Sequence, residues 1–313
     1  GDKFEYHNGL ATVHFTKKDY AKAIAALKTA EPLAADNNQK FALYSTRGGC
    51  YAAMGKWAEA VEDLEQARKI NAKKPSVLVT LGQSYYKLGH YDKAVPVFRE
   101  AVKLVPNDTA SVQLLAEALI NLGAESTSDS QKDSMYEEAM GYAEKFQSVE
   151  PANYEAANLV GRAALGASEY TKAEQAFRKV LSQKPDYCYA MVNLGKTYIA
   201  EERWADAEKV LNDAAACAPR MAVIYESLGF SLQKQNRLTE AVTAYEKSYD
   251  IKPSESVRNA IEICKQNIAV RDHNAQIASE EEAQRAAEAR AQAEYEEEMK
   301  KRKEWEERRK KGD

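Results

Sequence analysis

The sequence predicts an all-α fold, a solenoid of antiparallel helix pairs, on three observations. An alanine returns at Ala23, Ala60, Ala94, Ala139, Ala173, Ala207 and Ala241, with successive separations of 37, 34, 45, 34, 34 and 34. Twelve residues before most of these stands another small residue (Ala11, Gly48, Gly82, Gly161, Gly195, Gly229), and twelve after stands a proline (Pro106, Pro151, Pro185, Pro219, Pro253). Within one period the large apolar residues fall three and four apart, the spacing of one helix face. A period of about 34 residues with two short helices marks a unit that covers its apolar face only by stacking on the next.

The elements follow in order. His7, Leu10 and Ala11, then Ala23, Leu27 and Ala30, make the first and least regular pair, as a terminal unit should. Tyr44, Gly48, Tyr51, Ala60, Leu64 and Ala67 make the second, where Arg47 takes a site that elsewhere holds leucine. The third, Pro75 to Asp108, is the fullest. Leu78, Leu81, Gly82 and Tyr85 line its first helix, and Gly89 interrupts. Tyr91, Ala94, Val95, Phe98, Ala101 and Val102 then line the second helix, which Pro106 ends. Small residues at Gly82, Ala94 and Ala101 let the helix axes approach, while Leu81, Tyr85 and Phe98 fill the space beside them.

The fourth pair is stretched. The step from Ala116 to Ala139 is 23 where other pairs have 12, so the segment Gly123 to Asp133 is extra. Polar and turn-rich, it is expected to loop out, either as a passive insertion or as a loop that meets a partner or carries phosphate. The fifth pair carries Val160, Gly161, Ala173, Phe177 and Pro185. The sixth carries Leu194, Gly195, Tyr198, Ala207, Leu211, Ala214 and Pro219, and the seventh Tyr225, Leu228, Gly229, Ala241, Tyr245 and Pro253. Beyond it, Val257, Ile261, Cys264 and Ile268 mark a capping helix over 256–275, followed by a charged helical tail over 276–313. Residues 272–313 hold 13 acidic and 10 basic side chains, and no proline or glycine stands between Pro253 and Gly312, so one long helix is expected. Glu296/Lys300, Glu297/Lys301, Glu298/Arg302, Glu304/Arg308, Glu306/Lys310 and Glu307/Lys311 are spaced as i,i+4 pairs that support it. Its large apolar residues are sparse (Ile277, Tyr295, Met299, Trp305), so a solvated helix is the plainer reading, with a weak coiled coil or docking helix as the alternative.

The order of large residue, Leu-Gly, Tyr, then Ala, Phe, Ala and Pro resembles the tetratricopeptide repeat, most fully at Leu78, Leu81, Gly82, Tyr85, Ala94, Phe98, Ala101 and Pro106. The resemblance implies seven repeats over 4–255, with the enlarged fourth at 109–153, wound as a right-handed superhelix. It further implies a scaffold or adaptor whose concave groove, lined by the first helix of each pair, takes a peptide or helix of a partner protein. The groove positions are then Asn8 and Thr12; Ser45 and Gly49; Gln83, Tyr86 and Lys87; Gln113 and Glu117; Asn158 and Arg162; Lys196; and Glu226, Phe230 and Lys234. Such an amide-rich, mixed polar lining suits hydrogen bonds to an extended backbone or a docked helix. Arg162 and Lys196 can together hold a carboxylate, although Glu117 and Glu226 flank them and equally serve to balance their charge. Gly49 either admits a ligand backbone or is simply tolerated in a stable helix. Some members clamp acidic chaperone tails with a lysine–asparagine set. Here the nearest match is Asn158, Arg162 and Asn193; its leading lysine is absent and the next repeat offers Val223 and Ser227, so that role is not expected.

Composition narrows the rest. A net charge of −4 and a pI near 5.8 give no basic excess for a nucleic-acid partner, and no apolar run approaches the ~18 residues of a spanning helix. Four scattered cysteines show neither metal-site nor disulfide-scaffold spacing. Cys188 and Cys217 are placed for one disulfide, with buried small apolar residues the plainer reading. A reducing, cytoplasmic setting is favoured; the Gly1-Asp2 start without methionine reads as a processed end and keeps a secreted or periplasmic form open. Phosphate-loop, HExxH and GxSxG patterns are missing, and His7 and His14, two turns apart, lack a third ligand and are expected to fill the first repeat's core. No cofactor, metal or catalysis is therefore expected. Two alternatives stand beside the adaptor reading: a homo-oligomeric structural protein, and the regulatory module of a larger enzyme or chaperone.

Overall fold

The computed structural model describes residues 3–310 and 312, and it falls into two compact units, one ending at Arg203 and one beginning at Trp204. Among the described residues there are fifteen α-helices, one short 3-10 turn and no strand. The first unit holds five helix pairs: α1 (Phe4–Thr16) with α2 (Tyr20–Ala30), α3 (Asn37–Ala53) with α4 (Trp57–Ile70), α5 (Pro75–Lys87) with α6 (Tyr91–Leu104), α7 (Thr109–Glu125) with α8 (Asp129–Val149), and α9 (Tyr154–Gly166) with α10 (Tyr170–Gln183). It closes on α11 (Cys188–Ala200). The second unit holds α12 (Trp204–Cys217), the pair α13 (Ala222–Lys234) and α14 (Leu238–Ile251), and α15 (Glu255–Lys310).

Four pairs are drawn together where the first helix has no side chain. A Cβ built at Gly82 would lie 2.6 Å from Phe98 Cε1, one at Gly161 2.6 Å from Phe177 Cε1, and one at Gly48 2.6 Å from Leu64 Cγ. In the second unit Gly229 and Tyr245 Cδ1 repeat the same 2.6 Å approach. Phe98 and Phe177 have no exposed surface at all, so these rings cannot swing aside without opening a cavity. Outside the fourth pair, the turn between paired helices holds one residue in the left-handed region. Gly55 and Gly89 supply it in the second and third pairs, while Lys18, Ser168, Glu202 and Asn236 adopt it without that freedom.

The pairs then stack. In the first unit each second helix packs on the following first helix, and α1, α3, α5, α7, α9 and α11 also touch in succession, forming one wall. Tyrosine hydroxyls stitch the layers: Tyr85 donates to Glu65 at 3.0 Å and Tyr198 to Glu174 at 2.9 Å. Burial together with the Glu65 hydrogen bond pushes the Tyr85 hydroxyl up to about 12, so these bonds hold across the neutral range.

Arg47, the sequence oddity of the second pair, is a buried clamp. Its guanidinium donates twice to Asp63 (2.7 and 2.8 Å) and twice to Glu31 (2.7 and 3.1 Å), tying α3 to α4 and to the turn Glu31–Leu33 after α2. Arg47 and Asp63 are 8% and 6% exposed, so each removes the other's desolvation penalty. The Arg47 hydrogen bond, first among its causes, holds the Glu31 carboxyl below its ordinary 4.5.

Three expectations are corrected. The extra segment of the fourth pair does not loop out: α7 runs to Glu125, α8 starts at Asp129, and only Ser126 to Ser128 join them. Both helices are lengthened because the Tyr136 ring, seven residues into α8, fills the space where a Cβ on Gly123 would lie 3.2 Å from it and also packs against Gly166 of α9, a packing reward that a free loop forgoes. In the first pair the buried side chains of α1 are Phe4 and Ala11, while Leu10 is exposed and His7 and His14 are only half-buried. In the tail, of the five expected pairs among the described residues the one formed as an ion pair is Glu297–Lys301 (2.6 Å); Arg302 turns forward to Glu306 (3.5 Å), and the expected Glu307/Lys311 pair lies outside the described residues. Burial lifts the Cys50 thiol to about 11 and raises that of Cys264, in keeping with their place as small core residues. From Glu255 to Lys310 the chain is a single helix whose start, through Val257, Ile261 and Cys264, packs under α14.

Two outcomes test this packing. Gly161→Ala should lower stability by about 1–3 kcal/mol through overpacking, whereas Gly141→Ala, in open helical space, should raise it by about 0.5–1 kcal/mol; thermal and urea unfolding of both variants separates the cases. Arg47→Ala should cost about 3–5 kcal/mol by stranding the Asp63 charge, with Arg47→Leu/Asp63→Leu recovering most of it. Glu31 binds its proton less readily folded than unfolded. Its contribution is therefore present above pH ~4.5 and lost as pH falls through its lower folded value. Glu31→Gln should flatten the fall in stability below that pH.

Candidate functional site

The wall of first helices in the first unit presents the predicted groove positions, and they fall into two groups. At its N-terminal end Thr12, Ser45 and Gly49 line a cavity of about 300 Å³ together with Phe15, Thr46, Ser76 and Thr80. Thr12 donates to the Asn8 carbonyl (2.9 Å), Ser45 to that of Ala42 (3.2 Å) and Thr80 to that of Ser76 (2.9 Å), so their oxygens face the cavity as acceptors. A Cβ at Gly49 would sit 3.7 Å from Phe15, an ordinary contact, so the cavity does not depend on that glycine for space. Asn8 is half-buried, with no hydrogen-bond partner on Oδ1.

The second group lies on α5, α7 and α9. Tyr86 accepts a hydrogen bond from Asn121 (2.8 Å) and meets Tyr91 edge-on at 5.3 Å. Gln113 donates to Glu117 at 3.0 Å. Burial raises the Tyr86 hydroxyl; the Glu117 charge raises it further, while the Asn121 hydrogen bond and the Arg162 charge lower it. Arg162 also acts on Tyr136 and on Tyr187, yet forms no ion pair among the described residues. One turn before it, Asn158 is 9% exposed and its Oδ1 has no hydrogen-bond partner. A buried amide oxygen left open costs about 1–3 kcal/mol, a cost that a bound N–H donor would remove. Gln83 is half-buried, and Lys87 and Lys196 are exposed; Lys87 lies 5.9 Å over the Tyr86 ring, and no contact joins Lys196 to Arg162.

The second unit carries the remaining positions. Glu226 and Lys234 are exposed on α13, with the Lys234 ammonium 5.4 Å over the Phe230 ring and Trp204 edge-on to that ring at 6.1 Å.

Sequence reasoning missed three participants. Asn121 holds Tyr86, and Tyr154 and Tyr187 stack edge-on at 5.4 Å beside Arg162's helix with the Lys184 ammonium 4.8 Å and 5.3 Å from their rings. Their signal is a tyrosine within three residues of Pro151 and of Pro185, at the start of consecutive first helices. Among the described residues no three His, Cys, Asp or Glu side chains gather as a metal site, and no helix is long and apolar enough to cross a membrane.

A stacked helix-pair array with a polar wall of first helices defines a helical-repeat protein, a class that works by contact along an extended surface. Models described as tetratricopeptide repeat match residues 4–73, 51–119, 134–187, 164–224 and 222–255. The chain belongs to the tetratricopeptide repeat family, whose members generally mediate protein–protein interactions. It is 20% identical over 258 residues to BBSome complex member BBS4 of Bos taurus, covering 72% of this chain and 47% of that protein. It is 24% identical over 209 residues to anaphase-promoting complex subunit 7 of Homo sapiens (66% and 35%), and 32% identical over 97 residues to heat shock protein STI1 of Saccharomyces cerevisiae (31% and 16%). The chain thus spans less than half the length of these curated relatives. Among solved structures, a tetratricopeptide repeat protein from Parabacteroides merdae aligns with a TM-score of 0.62 at 18% identity, over 85% of this chain and all of that one. The hetero-tetramer Cut9–Hcn1 aligns at 0.56 and 15%, over 84% and 53%. Both share the all-α repeat fold.

Asn158→Leu, which keeps the branched shape and removes the open amide oxygen, should raise stability by about 1 kcal/mol. An unchanged or lowered melting temperature would show that the amide is satisfied in the free protein.

Proposed function

We propose that this chain is a non-catalytic interaction module that holds an extended, acid-containing segment of a partner protein along α5, α7 and α9. The buried, unpartnered Oδ1 of Asn158 carries the reading. A core amide kept open against its desolvation cost is what a site built to accept a ligand N–H requires. Arg162, one turn away and without an ion pair among the described residues, supplies a charge-assisted contact to a carboxylate. Glu117 and the Gln113 amide beside it limit how much negative charge the segment can carry. The relatives named as complex members and subunits agree with a role in assembly, and their greater length leaves room for this array to be one part of a larger protein.

An array of random ten-residue peptides tests the reading. The parent should retain peptides enriched in Asp or Glu. Arg162→Ala should lose that enrichment with about a tenfold fall in affinity, the scale of one charged hydrogen bond, and Asn158→Leu should weaken all retained peptides while melting higher than the parent. Retention without acidic preference, or retention that survives both substitutions, would refute it.

A further inference from the structure

The part of α15 that leaves the fold is the largest surface in the molecule with no covering. From Ala269 to Lys310 every described side chain except Met299 is exposed, a bare helix of about 63 Å at 1.5 Å per residue. Its charge is not mixed evenly along that length. Residues 280–298 carry eight acidic and two basic side chains, net −6, and residues 299–310 carry seven basic and three acidic, net +4. The helix does not neutralise the blocks itself. In the acidic block ion pairs form at Glu281 (Arg285, 3.3 Å) and Glu297 (Lys301, 2.6 Å), while Glu280, Glu288 and Glu296 accept from Gln276, Gln284 and Gln292 instead. Lys300, Lys303, Arg308 and Lys310 form no ion pair among the described residues.

Apolar residues sit where the blocks meet. Tyr295 and Trp305 are each 59% exposed, and together with Ala291, Glu298 and Arg302 they fall at alternating spacings of four and three, one side of the helix. The stripe is symmetric about Lys300: Tyr295 stands five residues before it and Trp305 five after, Glu298 two before and Arg302 two after.

We propose that this helix pairs antiparallel with the same helix of a second copy of the chain, about a two-fold axis near Lys300. That register lays Tyr295 on Trp305 of the second copy and Glu298 on its Arg302, and sets the two Met299 side chains together at the centre. It puts residues 290–298, net −3, opposite residues 302–310, net +2, twice. A parallel, in-register pair would set like block on like block, and like charges across an interface cost several kcal/mol. Lys301 meets its own counterpart near the axis, where the Glu297 ion pair on each helix offsets it. An anionic membrane or nucleic acid fits less well, because any surface that attracts residues 299–310 repels the adjoining acidic block.

Sedimentation equilibrium of the full chain decides. The parent should dimerise, with the dissociation constant rising at least about tenfold between about 50 mM and 500 mM salt. Reversing the acidic side (Glu294→Lys, Glu296→Lys, Glu298→Lys) or the basic side (Arg302→Glu, Arg308→Glu, Arg309→Glu) should each abolish the dimer. The six changes in one chain should restore it, as should a mixture of the two triple variants. Circular dichroism should show equal helicity throughout, and Arg162→Ala should dimerise like the parent, which keeps the outcome separate from the groove. A parent that stays monomeric, a dimer indifferent to salt and to either reversal, one lost with Arg162→Ala, or binding of the monomer to phosphatidylserine vesicles or duplex DNA in place of dimerisation would overturn the proposal.

Discussion

Everything in this chain rests on one close contact, a large side chain of the second helix laid on the bare backbone of the first. It recurs in four pairs, in each of which a Cβ on the glycine would lie 2.6 Å from the filler, a phenylalanine, leucine or tyrosine. Because the rings are buried, the contact fixes both the distance between the two axes and their rotation. That rotation decides which residues of the first helix point into the pair and which are left on the wall. Gly161 faces Phe177, so Arg162, one residue after it, is turned about 100° away from that ring, with Asn158 one turn before Arg162. The wall is therefore a consequence of the packing, and a change in the glycine contact would reach the proposed binding surface without touching it.

The same geometry explains what was legible in the sequence. The period, the pairs and the wall positions depend on side chains no further apart than one repeat, and local spacing reveals them. Arg47 was visible as an oddity, but its partners Glu31 and Asp63 come from the turn before α3 and from the next helix. The Asp- and Ser-rich stretch of the fourth pair reads as a loop because those residues favour turns in isolation. Its helical state depends on Tyr136 filling the space between Gly123 and Gly166, and the second of these glycines belongs to the next pair. Asn121 and Tyr187 belong to the site through neighbouring repeats, and no short window shows that. In the tail the spacing of opposite charges gave the helix but not the pairing, since glutamines compete for the same carboxylates.

Stability and binding pull against each other at two places. Asn158 keeps an open acceptor inside a packed wall, and the outer α15 keeps aromatic side chains in water. Apart from Asn8 and other side chains of the first helix, buried polar groups such as Arg47 and Asp63 are paired, and the hydroxyls of Tyr85 and Tyr198 have carboxylate acceptors. Departures from that rule in an otherwise satisfied fold are where contact with another molecule is expected.

The most direct measurement is site-specific photo-crosslinking of an array-selected acidic peptide, with the photoreactive side chain placed either at Gln113 on α7 or at Glu144 on α8. The account predicts crosslinks from position 113, on the wall of first helices, and none from position 144. Crosslinks from 144 alone, or equally from both, would contradict it, because the segment would then lie on the second helices and the open amide of Asn158 would have no ligand to accept.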